Sequence, residues 1–176
     1  MKIGIDISQI VYEGTGVGNY VRAMVAELIK RDTKNEYILF GSSLRRRHIF
    51  FRSFQTSRRV RLVIVPIPPT VLEFIWNRLH ILPIEWLTGP LDVFWSSDWT
   101  QPPLSSAKGV TTIHDLSTVR FPESFVGKIV NTQKRRLHHA VAQCAAFFCD
   151  SEATKKDAIE LLGIPNNKLF VIYPGL

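Results

Sequence analysis

Four short stretches of this chain place chemically capable residues side by side. The first, Glu13-Gly14-Thr15-Gly16-Val17-Gly18-Asn19-Tyr20, is rich in glycine. Glycines let backbone amides approach a phosphate closely, and a helix that follows adds its free amides and the positive end of its dipole. The spacing is Gly-x-Gly-x-Gly rather than the Gly-x-Gly-x-x-Gly of dinucleotide sites, and no Gly-Lys-Ser/Thr of a P-loop occurs. Read alone, the loop fits an anion cradle and a flexible turn equally well. The second stretch, Thr111-Thr112-Ile113-His114-Asp115-Leu116, delivers His114 and Asp115 from the end of a short strand expected to be buried. An imidazole there can donate to or accept from a ligand hydroxyl, or serve a structural role.

The third stretch is Trp95-Ser96-Ser97-Asp98-Trp99, with polar groups between two indoles. Aromatic faces suit the apolar faces of sugar rings, so Ser96, Asp98 and Trp99 are candidates to line a cleft, with core packing the competing role for Trp95. The fourth is Asp150-Ser151, a strand end in which Ser151 suits a helix N-cap and could also line the cleft.

The elements that must carry these loops alternate between strand-like and helix-like, the pattern of an α/β, Rossmann-like three-layer sandwich with a mostly parallel sheet. Strands are predicted over 2–7, 36–40, 61–65, 92–95, 110–113, 146–149 and 169–172. An amphipathic helix is predicted over 18–31, with Val21, Met24, Val25, Leu28 and Ile29 on one face. One or two short helices split at Pro83 are predicted within 71–87, and a long helix over 126–143. A further helix follows Ser151 and stops at Gly163, with Pro165 just beyond. In an open α/β sheet, ligands bind at the carboxyl ends of the strands, where all four loops fall.

Composition limits the function classes. With 45% hydrophobic and 21% charged residues, the 176-residue chain is globular and of a size for one domain, 1–176. Its formal charge of +7 favours anionic partners, a sugar nucleotide or an anionic membrane surface. The excess sits in Arg45-Arg46-Arg47, Arg58-Arg59-Val60-Arg61 and Lys134-Arg135-Arg136, read mainly as solvated faces. No nucleic-acid recognition motif accompanies the charge, and nucleic acid is not expected as a partner. Cys144 and Cys149 have neither redox nor zinc spacing and read as core residues of a reduced protein; no metal site is expected. No signal peptide or membrane-spanning stretch is recognisable, which points to the cytoplasm, with peripheral attachment to the inner face of the membrane as an extension.

Taken in order, GTGVGNYVRAM, HILPIEWL before DVFWSSDW, TTIHDLSTVRFPESF, CDSEATKKDAIELLGIPNNKLFVI and the final YPG resemble the N-terminal domain of a retaining GT-B glycosyltransferase of family four, over the whole chain. The subgroup it looks like is mannosyl- or rhamnosyltransferase-like, building polysaccharides or glycolipids. The resemblance implies that the chain is the acceptor-side half, that a C-terminal donor-binding domain is missing from it, and that it is inactive alone. It implies a nucleotide-diphosphate sugar as donor, a saccharide or glycolipid as acceptor, and no cofactor or metal. On its terms Gly16, Gly18 and Asn19 belong to a donor-phosphate loop, and His114 lies beside the transferred sugar as the catalytic residue. Asp115, Ser96, Asp98, Trp99 and Ser151 would face the acceptor or the cleft. The alternative is a non-catalytic module that binds a glycan or an anionic membrane.

One apparent match fails. Glu152 and Glu160 have the family's Glu-x7-Glu spacing but lack its Gly/Pro-rich setting, and residues eight apart on a helix share a solvated face. A departure also stands out: many relatives have His or Pro where this chain has Ser96-Ser97-Asp98.

Overall fold

Seven apolar runs pair into one sheet in the computed structural model, which describes residues 1–175. The strands are β1 (Lys2–Asp6), β2 (Glu36–Ser42), β3 (Val60–Val65), β4 (Val93–Ser96), β5 (Lys108–Ile113), β6 (Cys144–Cys149) and β7 (Leu169–Val171). Their order is β3-β2-β1-β4-β5-β6-β7, and every ladder is parallel rather than mostly so. The near-continuous apolar character of β2 (EYILFGS) and β6 (CAAFFC) follows from this, since a parallel strand between helices has few positions open to water.

Parallel neighbours need crossover connections, and helices supply most of them. The first, α1 (Gly16–Arg31), starts earlier than its hydrophobic period suggests, because Thr15 is the N-cap and its hydroxyl accepts from the Gly18 amide at 3.2 Å. A short α2 (Arg47–Ser53) was not legible in the sequence: only Ile49 and Phe50 of it are buried, too few to make a period beside the arginine run. Then come α3 (Pro69–Glu73), which continues as a π-helical turn over Phe74–Leu79, and α4 (Glu85–Thr88). Two helical pieces flank Pro83, as its position predicts, and the first already stops at His80. His80 adopts a left-handed conformation (φ 52°), its Nδ1 lies 2.9 Å from the Trp76 carbonyl, and the Trp76 indole donates to the Leu82 carbonyl.

The remaining helices are α5 (Ser117–Arg120), α6 (Gly127–Gln143) and α7 (Glu152–Leu162). Ser151 caps α7 by accepting from the Thr154 amide at 3.1 Å, and Gly163 ends it at φ 65°, both as its sequence context predicts. Glu152 and Glu160 are exposed on α7, and Glu160 pairs with Arg120 at 3.0 Å.

Alternation along the strands divides the core between the two sheet faces. In β2, Tyr37 and Leu39 pack with Val21 and Val25 of α1 and with Ile49 and Phe50 of α2. Ile38 and Phe40 of the same strand face the other way, against Leu72 of α3 and Trp76. Phe147 of β6 packs with Leu137 and Ala140 of α6 and Ala158 of α7. Cys144 and Cys149 are buried free thiols in that cluster, and burial pushes them up to about 12 and about 11 respectively. At the start of α4, burial alone would raise the Glu85 carboxyl. It is instead held below its usual range because it accepts from the amides of Ser105, Ser106 and Ala107.

Among the described residues no helix is long and apolar enough to cross a membrane.

Candidate functional site

Strand order reverses direction between β1 and β4, since the chain runs outward to β3 and then restarts at β4 toward β7. The loops that leave the carboxyl ends of β1 and β4 therefore part at this point and open a crevice, the usual ligand position in such a sheet. Asp6, the last residue of β1, anchors the crevice from below. It is 3% exposed and accepts from the Ser8 amide at 2.8 Å and from the Thr100 hydroxyl of the β4 loop at 3.4 Å. Burial raises its carboxyl above the ordinary range, with these hydrogen bonds opposing the rise.

Above Asp6 lies a cavity of about 310 Å³, walled by Ser8, Gln9 and Tyr12 after β1, by Pro69, Thr70 and Leu72 of α3 and its approach, and by Ser97, Trp99 and Thr100 after β4, with Ser42 from the end of β2. Hydroxyls and an amide share it with Tyr12 and Trp99. The β4 loop is held from within. Ser97 Oγ accepts from the amides of Trp99 and Thr100, and the buried Asn77 side chain donates to the Trp99 carbonyl and accepts from the Gln101 amide.

His114 stands one residue beyond β5 and Asp150 one residue beyond β6. The ladder pairs Ile113 with Cys149, so the two following side chains emerge together. His114 Nδ1 donates to Asp150 Oδ2 at 2.7 Å, and both side chains are about four-fifths covered. With Nδ1 engaged, Nε2 is the nitrogen left for a ligand. The Tyr20 ring, from the first turns of α1, meets the imidazole edge-on with centroids 5.0 Å apart, and burial raises its phenol. Asp150 Oδ1 and the Tyr20 hydroxyl are both buried without a partner. His114, Asp150 and Tyr20 thus form one cluster between the glycine segment and the ends of β5 and β6. Asp115 is not part of it; exposed, it accepts from the Ser117 amide at 2.8 Å and starts α5.

Under this cluster runs a second buried charge. Arg136 of α6 is 3% exposed and donates to the Ser97 carbonyl (3.2 Å), the Thr112 carbonyl (2.9 Å), Thr111 Oγ1 (2.9 Å) and Gln133 Oε1 (3.2 Å). Burial lowers its pKa, while the charge of nearby Asp98 works against that shift. One guanidinium so ties the β4 loop to the end of β5, two residues before His114. The sequence groups Arg136 with Lys134 and Arg135 as a solvated cluster. The helix period separates them, turning only Arg136 inward beside Leu137 and Ala140.

The other proposed residues take distinct places. Gly16 is exposed, and a Cβ there would meet nothing within 4 Å. Gly18 is buried: a Cβ would come within 3.0 Å of the Gln9 and Tyr12 carbonyls and 2.9 Å of Thr15 Oγ1, so its role is close packing of α1 on the β1 loop. Asn19 is exposed in the first turn of α1. Ser96 is buried, donating to Gln101 Oε1 at 2.6 Å. Asp98 is partly covered near Arg136, and its Oδ1 is buried without a partner. Trp95 is core, its indole donating to Thr112 Oγ1, while Trp99 borders the crevice. Ser151 is spent on the α7 cap. Among the described residues, no group of three or more His, Cys, Asp or Glu side chains is placed to hold a metal ion.

Asp150 and Arg136 are the participants that sequence reasoning ranked low or missed. For Asp150 the signal was present, an acid directly after a buried strand, but its partner lies 36 residues away. For Arg136, the inward phase of the helix was the available sign.

No curated protein matches the chain. A family model described as Glycosyltransferase Family 4 matches residues 14–176, which takes in α1, the crevice loops, His114 and Asp150. The match and the parallel Rossmann-like sheet agree, and the chain belongs to glycosyltransferase family 4.

Proposed function

We propose that this chain forms the acceptor-side wall of a retaining, nucleotide-sugar-dependent GT-B glycosyltransferase that serves polysaccharide or glycolipid synthesis, with mannosyl- or rhamnosyl-like donors. The observation that carries this reading is the His114–Asp150 pair beside the crevice of Tyr12 and Trp99. Asp150 holds the imidazole by Nδ1, and Nε2 takes a hydroxyl of the transferred sugar or of the acceptor. The crevice receives the acceptor, with its hydroxyls bonding the sugar and Trp99 lying against an apolar sugar face.

The donor diphosphate meets the start of α1. The first amides of any helix lack intrahelical acceptors, so Gly16 and Val17 can donate to a phosphate, aided by the helix dipole. Fixed donors aimed at the leaving diphosphate lower the barrier by stabilising the charge that develops there. A separate donor-binding domain supplies the remaining contacts, neither a metal nor another cofactor takes part, and the chain by itself does not turn over. The protein works in the cytoplasm.

The test is transfer from a panel of UDP-, GDP- and dTDP-sugars to saccharide and glycolipid acceptors, with the chain alone and joined to a donor-binding domain. Transfer in the joined form only, with the anomeric configuration of the donor kept in the product by NMR, is the expected result. Turnover by the 176 residues alone, or an inverted product, would overturn the assignment of halves or of mechanism.

A further inference from the structure

We propose that the outer surface shared by the 69–81 segment and α6 is a docking face for an anionic lipid bilayer. Pro69, Thr70 and Leu72 of this segment wall the crevice, whereas the docking face is its exposed outer side and does not depend on the reaction assigned above.

The two elements form one surface. Thr132 of α6 donates to the Glu73 carboxylate at 3.3 Å, His139 Nε2 lies 3.1 Å from the Asn77 carbonyl, and the His80 and His139 rings stack with centroids 3.7 Å apart. Of the 17 residues of α6 none is acidic. With Arg136 turned inward, Lys128, Lys134 and Arg135 remain exposed. Lys134, Arg135 and Arg78 line one open concavity of about 400 Å³ between the helices. Glu73 is the one acid of the 69–81 segment and α6, against Arg78, Lys128, Lys134 and Arg135, so positive charge predominates on this face.

Beside it lie apolar side chains in water: Val71 at 43% exposure, Phe74 at 45%, Leu79 at 48% and Ile81 at 55%. The Arg78 guanidinium sits 5.5 Å over the Phe74 ring, so cation and apolar group share one spot. Exposed apolar groups rimmed by cations match the depth profile of a membrane surface, with acyl chains below anionic headgroups. The aliphatic members, Val71, Leu79 and Ile81, offer nothing for nucleic-acid bases to stack on, which favours lipid over a polyanionic strand. The Arg45–Arg47 run lies at the start of α2, on the opposite sheet face, and plays no part.

The experiment is co-sedimentation of the 176-residue chain with vesicles of phosphatidylcholine alone and of phosphatidylcholine mixed with phosphatidylglycerol. Binding to the mixed vesicles that weakens with added salt, and little binding to the neutral ones, is expected. The R78Q/K134Q/R135Q variant should lower partitioning roughly a hundredfold. The F74S/I81S variant should lower it while leaving the charge intact, and R45Q/R47Q should leave it unchanged. Thermal unfolding of each variant shows that the fold is kept, and F74S/I81S decides the matter if the triple variant fails to fold. Failure to bind the mixed vesicles, binding indifferent to both patch variants, or loss in R45Q/R47Q alone would overturn the proposal. So would tighter binding to a mixed-sequence oligonucleotide that survives F74S/I81S, which would assign the face to nucleic acid.

Discussion

Asp150 Oδ2 accepts a hydrogen bond from His114 Nδ1 at 2.7 Å, across two neighbouring strand ends whose ladder register sets Ile113 opposite Cys149. A pairing fixed by sheet register is rigid, because sliding β6 against β5 would break every hydrogen bond of the ladder at once. The imidazole is therefore oriented before any ligand arrives.

In the chain joined to a donor-binding domain, His114→Ala should cut kcat roughly a hundredfold or more, the scale for loss of a positioned proton-handling group. Asp150→Asn should also lower kcat and leave KM nearly unchanged, since it alters orientation rather than binding. The Nδ1-bound proton of His114 should give a sharp NMR resonance in the parent and broaden in Asp150→Asn. Unaltered kcat in both variants would remove the pair from the site.

Gly16 and Gly18 should respond in opposite ways to alanine. A Cβ at Gly18 collides with two backbone carbonyls, so Gly18→Ala should destabilise the chain by about 1–3 kcal/mol in urea unfolding. Gly16 has open space, and Gly16→Ala should leave stability nearly unchanged or slightly raised, because alanine is the better helix former. In the joined protein, Gly16→Ala should instead weaken sugar-nucleotide binding by crowding the phosphate. Equal stability of the two variants would contradict the packing role of Gly18.

Removing the Arg136 guanidinium leaves the Ser97 and Thr112 carbonyls without that donor and Asp98 without its countercharge. Arg136→Met should cost about 3–5 kcal/mol of stability, the scale for breaking a buried charge arrangement from one side. Lys134→Met, two residues earlier and on the outer face of α6, should cost less than about 0.5 kcal/mol. Denaturant midpoints of the two variants check the contrast.

Asp6 gives the fold a pH dependence of known sign. Its native carboxyl is raised above the ordinary value of 3.8, chiefly by burial, so the native state holds the proton more tightly than the unfolded chain does. Its contribution is fully present below the unfolded value and is lost as pH rises through the raised native value. Asp6→Asn, which cannot ionise, should lack this loss. Urea unfolding from pH 3 upward should show the wild type falling relative to the variant as Asp6 ionises; parallel curves would mean that Asp6 titrates alike in both states.

Much of the architecture was legible because it rests on local signals. Val21 and Val25 mark the buried face of α1, Ser151 and Gly163 bracket α7, and the apolar runs of β2 and β6 announce strands with few positions open to water. Short elements were not: α2 buries only Ile49 and Phe50, and the helical stretch after Pro69 ends at His80 through a left-handed residue that no proline announces.

By itself the sequence determined the alternation of strands and helices, the family, and the loops at which chemistry could gather, since these follow from hydrophobic period, capping residues and motif order. Only the tertiary structure decided which side chains meet. Strand register brought Asp150, not the adjacent Asp115, to His114, because side chains at paired strand ends project together whereas Asp115 is turned away to start α5. Helix phase withdrew Arg136 from its neighbours Lys134 and Arg135, and the approach of α1 to the β1 loop made Gly18 a packing glycine and left Gly16 open. Such pairings depend on distances between segments far apart in the chain, and local residue preferences carry no information about them.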